Sequence, residues 1–199
     1  SSATIQVTVN PINDAPITVA DALTTAEDTT RTIAITSVTN NDRPGPENES
    51  SQGINLVALT GPVATAAGGT VTQVGSNLIY NPASNFNGTD TFTYEIEDGG
   101  SPALRATGTV TITVTEVNDA PIPTAVTKSI FASVPTTFDI TGDLASMPKG
   151  PANENEQTLR IVPGSVITNT TPNGNVTATL NANGTITFFA PLNTSGRQT

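Results

Sequence analysis

The sequence predicts an all-β protein made of tandem modules, each of about seven strands. Apolar and polar residues alternate over many short segments, as in 91–96, where Phe92, Tyr94 and Ile96 share one face. Thr, Val and Ile dominate the alternating segments, and their β-branched side chains suit the half-buried surface of a sheet. The segment Asn-Asp-Ala-Pro occurs at positions 13–16 and 118–121, and this 105-residue spacing is the size of a small β domain.

The repetition extends beyond the Asn-Asp-Ala-Pro segments. Residues 4–9 match 109–114, and residues 45–49 match 150–154, all at the offset of 105. A fixed period of this length indicates a string of like domains.

The period predicts the division of the chain. We expect the following order: 1–12 as the last strand of a preceding module, 13–16 as a linker, 17–117 as a complete module, 118–121 as a second linker, and 122–199 as a second module that lacks its last two strands. A longer chain or a neighbouring copy would supply the missing strands, and we favour the longer chain. An open sheet left without them would expose apolar faces and unpaired edges.

Composition excludes several classes of function. The chain of 199 residues carries a net charge of −10, and its seven Lys and Arg residues stand singly, so no cationic patch exists for nucleic acid or an anionic membrane surface. Cys and His are absent, which removes thiol and imidazole chemistry and the usual zinc ligands. We therefore expect no enzyme, no nucleic-acid binding and no membrane insertion in this segment.

Alternation and turn residues place the strands of the first module. They are expected at 17–24, 31–38, 54–60, 69–74, 77–82, 90–97 and 106–116. Gly75-Ser76-Asn77 and 87–90 (Asn-Gly-Thr-Asp) are predicted hairpin turns, because Asn and Gly tolerate positive φ. Residues 39–53 are predicted to form a long loop.

Seven strands of alternating direction make the chain enter the module at one end and leave at the other. The end nearest Asp14 should then carry the 39–53 loop and the 98–100 turn. The opposite end should carry Glu27, Asp28, the 61–68 and 83–90 loops, and the second linker.

Four stretches carry a family resemblance. Residues 80–94 (Tyr-Asn-Pro-Ala-Ser-Asn-Phe-Asn-Gly-Thr-Asp-Thr-Phe-Thr-Tyr), 97–100, 108–114 and the Val-Asn-Asp-Ala-Pro run at 117–121 resemble the cadherin-like, immunoglobulin-like tandem repeats of large bacterial surface and secreted proteins. The resemblance implies an antiparallel Greek-key β-sandwich, extracellular or cell-surface exposure, and a role as a spacer, stalk or filament element, in many relatives stiffened by calcium. The implied partners are neighbouring repeats, neighbouring copies in a fibre, or a cell-surface or matrix ligand.

Acidic residues near the linkers are candidate calcium ligands, since Ca²⁺ prefers six to eight oxygens from carboxylates and carbonyls. Strand directions bring one group toward the second linker, and another surrounds the first linker. The second-linker group is Glu27, Asp28, Asp90, Asn118, Asp119 and Asp143, and the first-linker group is Asn13, Asp14 and Asp42. The competing interpretation is ordinary turn acids and an Asx turn before Pro.

The second module departs from this acidic pattern. The positions that correspond to Glu27, Asp28 and Asp42 hold Ala132, Ser133 and Met147. The second module therefore lacks three of the acidic side chains on which the predicted calcium sites around the first module depend.

The loops 39–53 and 150–157 suggest an alternative function, an adhesion module that binds carbohydrate or protein. Their recurrence in both modules favours a structural role, because a binding loop would differ between copies. Glu95 and Glu97 resemble a glycosidase carboxylate pair, but on an alternating strand they more naturally form a solvated face.

Overall fold

The structure, a computed structural model, describes residues 3–162, 170–171 and 174–190. The chain divides into two compact units, the first ending at Val117 and the second beginning at Asn118. Within the described ranges, no helix is long and apolar enough to cross a membrane.

The first unit is a sandwich of two four-stranded sheets. Its strands are β1 (Asp21–Ala26), β2 (Arg31–Ala34), β3 (Ile54–Leu56), β4 (Val63–Ala64), β5 (Thr70–Val74), β6 (Asn77–Asn81), β7 (Gly88–Asp98) and β8 (Arg105–Thr115). One sheet has the order β1-β8-β7-β3 and the other β2-β6-β5-β4. All pairings are antiparallel except β1 with β8, which run parallel. The all-β sandwich predicted from the sequence is confirmed.

The core lies between the two sheets and follows the predicted alternation. Phe92, Tyr94 and Ile96 of β7 point inward and are buried, and so are alternate residues of β8. The opposite sheet contributes apolar side chains from β2, β5 and β6, namely Ile33, Val71, Leu78 and Tyr80. Burial of these side chains is the main stabilising term of the unit.

Three local predictions were wrong. The second half of the predicted strand 31–38 is a short helix, α1 (Ile35–Thr39), which buries Val38 completely. Ser37 and Thr39 hydroxyls bond backbone carbonyls within this turn, an interaction that competes with strand pairing. The first unit also contains an eighth strand, β4, inside the predicted 61–68 loop.

The third error is the hairpin predicted at 87–90. Residues 88–90 begin β7 and pair with residues 112–114 of β8, so the Asn-Gly signal was overridden by sheet pairing. The other predicted hairpin is confirmed, because Gly75 and Ser76 connect β5 to β6, with Gly75 at a φ of 58°.

In the described part of the second unit, fewer residues lie in β-strands than in the first unit. The strands of the second unit are β9 (Thr136–Phe138), β10 (Thr170–Thr171), β11 (Gly174–Asn175), β12 (Thr177–Leu180) and β13 (Ile186–Phe189), with one helix, α2 (Thr141–Ser146). The sheets are β12-β13-β9 and β10-β11, both antiparallel. Residues 159–162 form no strand.

Two expectations about the ends of the chain stay predictions. Residues 3–12, expected to be the last strand of a preceding module, form no strand in the structure, and Ile5, Val7 and Val9 are exposed. Residues 191–199, which bear on the missing last strands, lie outside the described residues.

Candidate functional site: the linker clamps

A buried glutamate organises the loop that follows α1. Glu47–Glu49 form a 3-10 turn behind Pro46, and the Glu49 N–H donates to Pro46 O at 2.9 Å. The turn directs the Glu49 side chain inward, where it is only 5% exposed. Gly45 leaves room for it, because a Cβ at that position would overlap the Glu49 carboxylate and displace it.

This loop holds the first linker. The backbone N–H of Asp14 donates to Glu49 Oε1 at 3.0 Å and approaches Oε2 at 3.3 Å. Gln52 Nε2 donates to Asn13 Oδ1 at 2.9 Å. We call a Glu and Gln pair of this kind a linker clamp: Glu49 with Gln52 in the first unit, and Glu154 with Gln157 in the second.

The β7–β8 turn holds the same linker from another side. Asn13 Nδ2 donates to Asp98 Oδ2 and to Pro102 O, both at 3.0 Å. Gly100 leaves room for the Asn13 side chain, which a Cβ there would overlap. The backbone N–H of Leu104 donates to Asp98, as do Gly100 N and Asn13 Nδ2, and these hydrogen bonds hold the Asp98 pKa below its ordinary value.

The first linker continues directly into the packing of its own unit. Pro16 is buried, and Ile17 exchanges two backbone hydrogen bonds with Arg43, at 2.8 and 2.9 Å. Val19 N donates to Asp42 Oδ1 at 2.8 Å. The 39–53 loop therefore contacts Asn13 and Asp14 of the linker and Ile17 and Val19 just after it. Its place at the Asp14 end, together with the 98–100 turn, is as strand direction predicted.

The second unit repeats the clamp. Asp119 N donates to Glu154 Oε1 at 2.9 Å, and Gln157 Nε2 donates to Asn118 Oδ1 at 2.9 Å. Glu154 ends the 3-10 turn Ala152–Glu154 behind Pro151 and is fully buried. In this copy Glu154 Oε2 and Asp119 Oδ2 are buried and have no hydrogen-bond donor within the described residues.

The remaining predicted calcium ligands of the first unit have partners of their own. Val117 N donates to Glu27 Oε1 at 2.6 Å, and Asn85 N donates to Asp28 Oδ1 at 3.0 Å. These contacts place Glu27 and Asp28 at the end where the chain leaves the unit, as strand direction predicted.

Asp90 is a buried structural carboxylate. It accepts hydrogen bonds from Thr65 Oγ1 (2.5 Å), Tyr80 OH (2.8 Å), Ala67 N (2.8 Å) and its neighbour Thr91 N (2.8 Å). Burial alone would raise its pKa, but these donors hold the Asp90 pKa below its ordinary value. All four interactions stabilise the ionised form.

Asp42 belongs to a second buried polar cluster. The Tyr94 hydroxyl lies 2.7 Å from Val38 O, 2.9 Å from Asp42 Oδ2 and 3.2 Å from Asp21 Oδ2. Burial raises the pKa of Tyr94, and it also raises the pKa of Asp21, to which the charge of Asp42 contributes. One hydroxyl proton therefore faces three acceptors.

In the second unit, Asp143 forms an ion pair with Lys128, whose Nζ lies 2.9 Å from Asp143 Oδ2. Within each unit, the described residues include no group of three or more acidic side chains that could hold a metal ion. The junction site joined residues of both units, and it stays a prediction.

Sequence reasoning missed the role of Glu49, Gln52 and their repeats. Both residues lie in loops that recur in the sequence, but a hydrogen bond to a backbone N–H 35 residues away leaves no local sequence pattern. The usable signal was the joint repetition, at one offset, of Glu49, Gln52 and the Asn-Asp-Ala-Pro linker.

The fold and the linker contacts define an immunoglobulin-like β-sandwich repeat. A family model described as the bacterial Ig domain matches residues 13–115, and the chain belongs to this family. The match begins at Asn13, the first residue held by the clamp. Domains of this family are commonly found in surface proteins.

Solved structures similar to this chain include two cadherin ectodomains. The protocadherin gamma C5 EC1-3 structure is 11% identical over 89% of this chain and 57% of that chain, with a TM-score of 0.35. The protocadherin gammaB4 extracellular domain is 18% identical over 61% of this chain and 21% of that chain, with a TM-score of 0.33.

A third similar structure is a nucleoside hydrolase-related hypothetical protein from Saccharophagus degradans, associated with carbohydrate metabolism. It is 18% identical over 52% of this chain and 26% of that chain, with a TM-score of 0.31. The chain thus spans between about a fifth and just over half the length of these three structures. No curated protein matches it.

Proposed function

We propose that this chain is a structural spacer of a large extracellular surface protein, a stalk or filament element in which each linker is fixed by the module that follows it. The observation that carries the proposal is the linker clamp, which occurs in both units with the same residue types and the same donors and acceptors. Membership of a family common in surface proteins supports the location.

The clamp acts by removing backbone freedom where a string of domains would otherwise bend. A hydrogen bond from a backbone N–H to an ionised carboxylate contributes about 1.5–3 kcal/mol when it is buried. Glu49 and Glu154 each provide one such acceptor to the linker Asp. The linker Pro adds a fixed φ and biases the preceding residue toward extended geometry.

The clamp also argues against the adhesion alternative. In both loops the Glu and Gln side chains point to the linker, where they are not available to a carbohydrate or protein ligand. Families of this fold are generally non-enzymatic, and the polar clusters around Asp90 and Tyr94 are buried structural networks. The chain accordingly works as a mechanical element.

Calcium is the second part of the proposal. An acidic chain with a net charge of −10 and carboxylates beside both linkers would be stiffened by a divalent cation. Calcium would supply charge neutralisation and a rigid set of oxygen ligands at the linker.

The test compares a double variant, Glu49→Ala with Glu154→Ala, with the matched control Glu47→Ala with Glu156→Ala. Glu47 and Glu156 are exposed neighbours in the same two loops. Small-angle scattering and hydrogen exchange on the full chain should show a narrow distribution of lengths and slow exchange at Asp14 N and Asp119 N, both lost in the first variant only. Equal scattering and exchange in all three proteins would refute the spacer mechanism.

A further inference from the structure

We propose that the first unit selects the linker it accepts by the side-chain amide of Asn13. Asp98, Pro102 and Gln52 form a site that binds a carboxamide and rejects a carboxylate. The inference rests on the proposed spacer function, in which each module fixes the linker before it, and it names what the module recognises. The ligand is a short peptide segment that begins with Asn.

The hydrogen-bonding groups of the Asn13 amide are matched one by one. A primary amide offers two N–H donors at one end and a carbonyl acceptor at the other. Asn13 Nδ2 donates to Asp98 Oδ2 and to Pro102 O, both at 3.0 Å. Its Oδ1 accepts from Gln52 Nε2 at 2.9 Å. The opposite orientation of the amide would place its oxygen against two acceptors, so the site determines which end of the amide faces Asp98.

Asp98 is a fixed acceptor. Its side chain is buried, and its Oδ1 accepts the backbone N–H groups of Leu104 and Gly100, both at 3.0 Å. These hydrogen bonds leave Oδ2 for Asn13 and hold the Asp98 pKa below its ordinary value, so the carboxyl is ionised at neutral pH. A carboxylate at position 13 would put a second negative oxygen in the place of Nδ2, 3.0 Å from Asp98 Oδ2, and the two charges would repel each other.

The site is also limited in size. Gly100 lies against the Asn13 side chain, and a Cβ at Gly100 would overlap the amide of Asn13. The absence of a side chain at Gly100 therefore allows the Asn13 amide to approach the β7–β8 turn closely. A longer amide side chain at position 13 would carry its NH2 group one methylene farther from the backbone and away from the Asp98 carboxylate.

The chain before Asn13 is not held in this way. Ile5, Val7, Val9 and Ile12 are each more than three-quarters exposed. The first unit therefore holds the linker from its first residue onward. Modules in a tandem chain could then follow one another in any order, provided that each linker begins with Asn.

The second linker provides an internal contrast. Gln157 Nε2 donates to Asn118 Oδ1 at 2.9 Å, which repeats the donor of the first clamp. Asn118 Nδ2, however, donates to the neighbouring carbonyl, Asp119 O, at 3.2 Å. The described residues place no carboxylate on this nitrogen in the way that Asp98 does in the first unit. Asn118 therefore serves as a matched control.

The test measures hydrogen exchange at Asp14 N by NMR on the full chain at pH 7. The variants are Asn13→Asp, Asp98→Asn and the double variant with both changes, and the control is Asn118→Asp, followed at Asp119 N. The tyrosine circular dichroism signal of the first unit reports whether each variant is folded. If the first unit unfolds in Asn13→Asp, recovery of this signal in the double variant replaces exchange as the measurement.

Asn13→Asp should speed exchange at Asp14 N at least about tenfold, because a charge-assisted hydrogen bond is lost and two carboxylates face each other. Asp98→Asn should also speed it, because the new amide turns an N–H group toward Asn13 Nδ2. The double variant should restore slow exchange, since the amide at position 98 then donates to the carboxylate at position 13. Asn118→Asp keeps an acceptor for Gln157, so exchange at Asp119 N should change far less.

Unchanged exchange at Asp14 N in Asn13→Asp, or a double variant that exchanges as fast as Asn13→Asp, would overturn linker selection. An equal effect of Asn118→Asp at Asp119 N would also overturn it, because added charge alone would then explain the result. In these cases the spacer function still stands if loss of the two clamp glutamates broadens the distribution of lengths in scattering. Fast exchange at Asp14 N in the unmodified chain would overturn both proposals.

Discussion

The buried Asp90 carboxylate gives the sharpest stability prediction for the first unit. Replacement by Asn keeps the size of the side chain but removes its charge, so four charge-assisted hydrogen bonds become neutral or are lost. Hydrogen bonds to a charged group contribute about 1.5–3 kcal/mol and neutral ones about 0.5–1.5 kcal/mol. The loss of about 1 kcal/mol for each of four bonds is partly offset by the smaller desolvation cost of a neutral amide. We expect Asp90→Asn to lower the free energy of unfolding by about 2–3 kcal/mol.

The chain offers a specific probe for this measurement. Its two tyrosines, Tyr80 and Tyr94, both lie in the core of the first unit, and the chain has no Trp. The tyrosine band of the near-ultraviolet circular dichroism spectrum, separate from the phenylalanine bands at shorter wavelength, therefore follows the first unit during urea unfolding. A loss of 2–3 kcal/mol corresponds to a fall in melting temperature of roughly 10–20 °C for a domain of about 100 residues.

The pH dependence is the control. Because the folded state lowers the Asp90 pKa below the ordinary 3.8, its contribution is present above about pH 4 and is lost as the pH falls through the folded value. The difference between the unmodified chain and Asp90→Asn should thus be constant from pH 7 to 5 and shrink below pH 4. A variant as stable as the parent at pH 7, or a difference that grows on acidification, would refute this reasoning.

Three further predictions concern the same sheet. Gly108→Ala should unfold the first unit or lower its free energy of unfolding, measured by urea titration, by several kcal/mol. The reason is that the new Cβ would overlap the Tyr94 ring. An unchanged transition midpoint would contradict this. Arg105→Ala should change the free energy of unfolding by less than about 1 kcal/mol, since the ion pairs of Arg105 with Glu95 and Glu97 are solvent-exposed. A larger loss would contradict this, because it would mean that these ion pairs stabilise the fold more than surface pairs usually do. Asp21→Asn should act opposite to Asp90→Asn with pH: because the folded state raises the Asp21 pKa above 3.8, its stabilising contribution is present below about pH 4 and is lost as the pH rises through the folded value. The parent should therefore gain stability relative to Asp21→Asn on acidification, and a constant difference between pH 7 and 4 would contradict it.

The fold was predictable because its signals are local and repeated. The alternation in β7 and β8 fixes which residues face the core, and a two-residue turn at Gly75 fixes one hairpin. The parallel contact of β1 with β8 was not predictable from alternation. It joins residues about 90 positions apart, and periodicity contains no information about which strands become neighbours.

The candidate site was predictable only in part. The linkers were recognised as special from their repetition, and Asp119 was among the predicted ligands. Glu49 and Glu154 were missed because a buried carboxylate in a loop looks like any solvated acid until its partner is known. Asp90 was predicted as a ligand, yet in the structure four donors surround it, and strand direction alone could not place Thr65 and Tyr80 beside it.

The parallel pairing of the first and last strands determines how the first unit would bear a load. Six residue pairs, from Asp21 with Val110 to Ala26 with Thr115, connect β1 to β8. A pull transmitted along the polypeptide draws β1 toward its amino end and β8 toward its carboxyl end, so the two strands slide past each other along their common axis. The backbone hydrogen bonds between β1 and β8 are then all loaded at the same time, in shear. In an antiparallel pair pulled from its open end, the hydrogen bonds would instead break one after another. A bacterial Ig domain with this arrangement would unfold only at high force and in a single step, a property that suits a tether of fixed length.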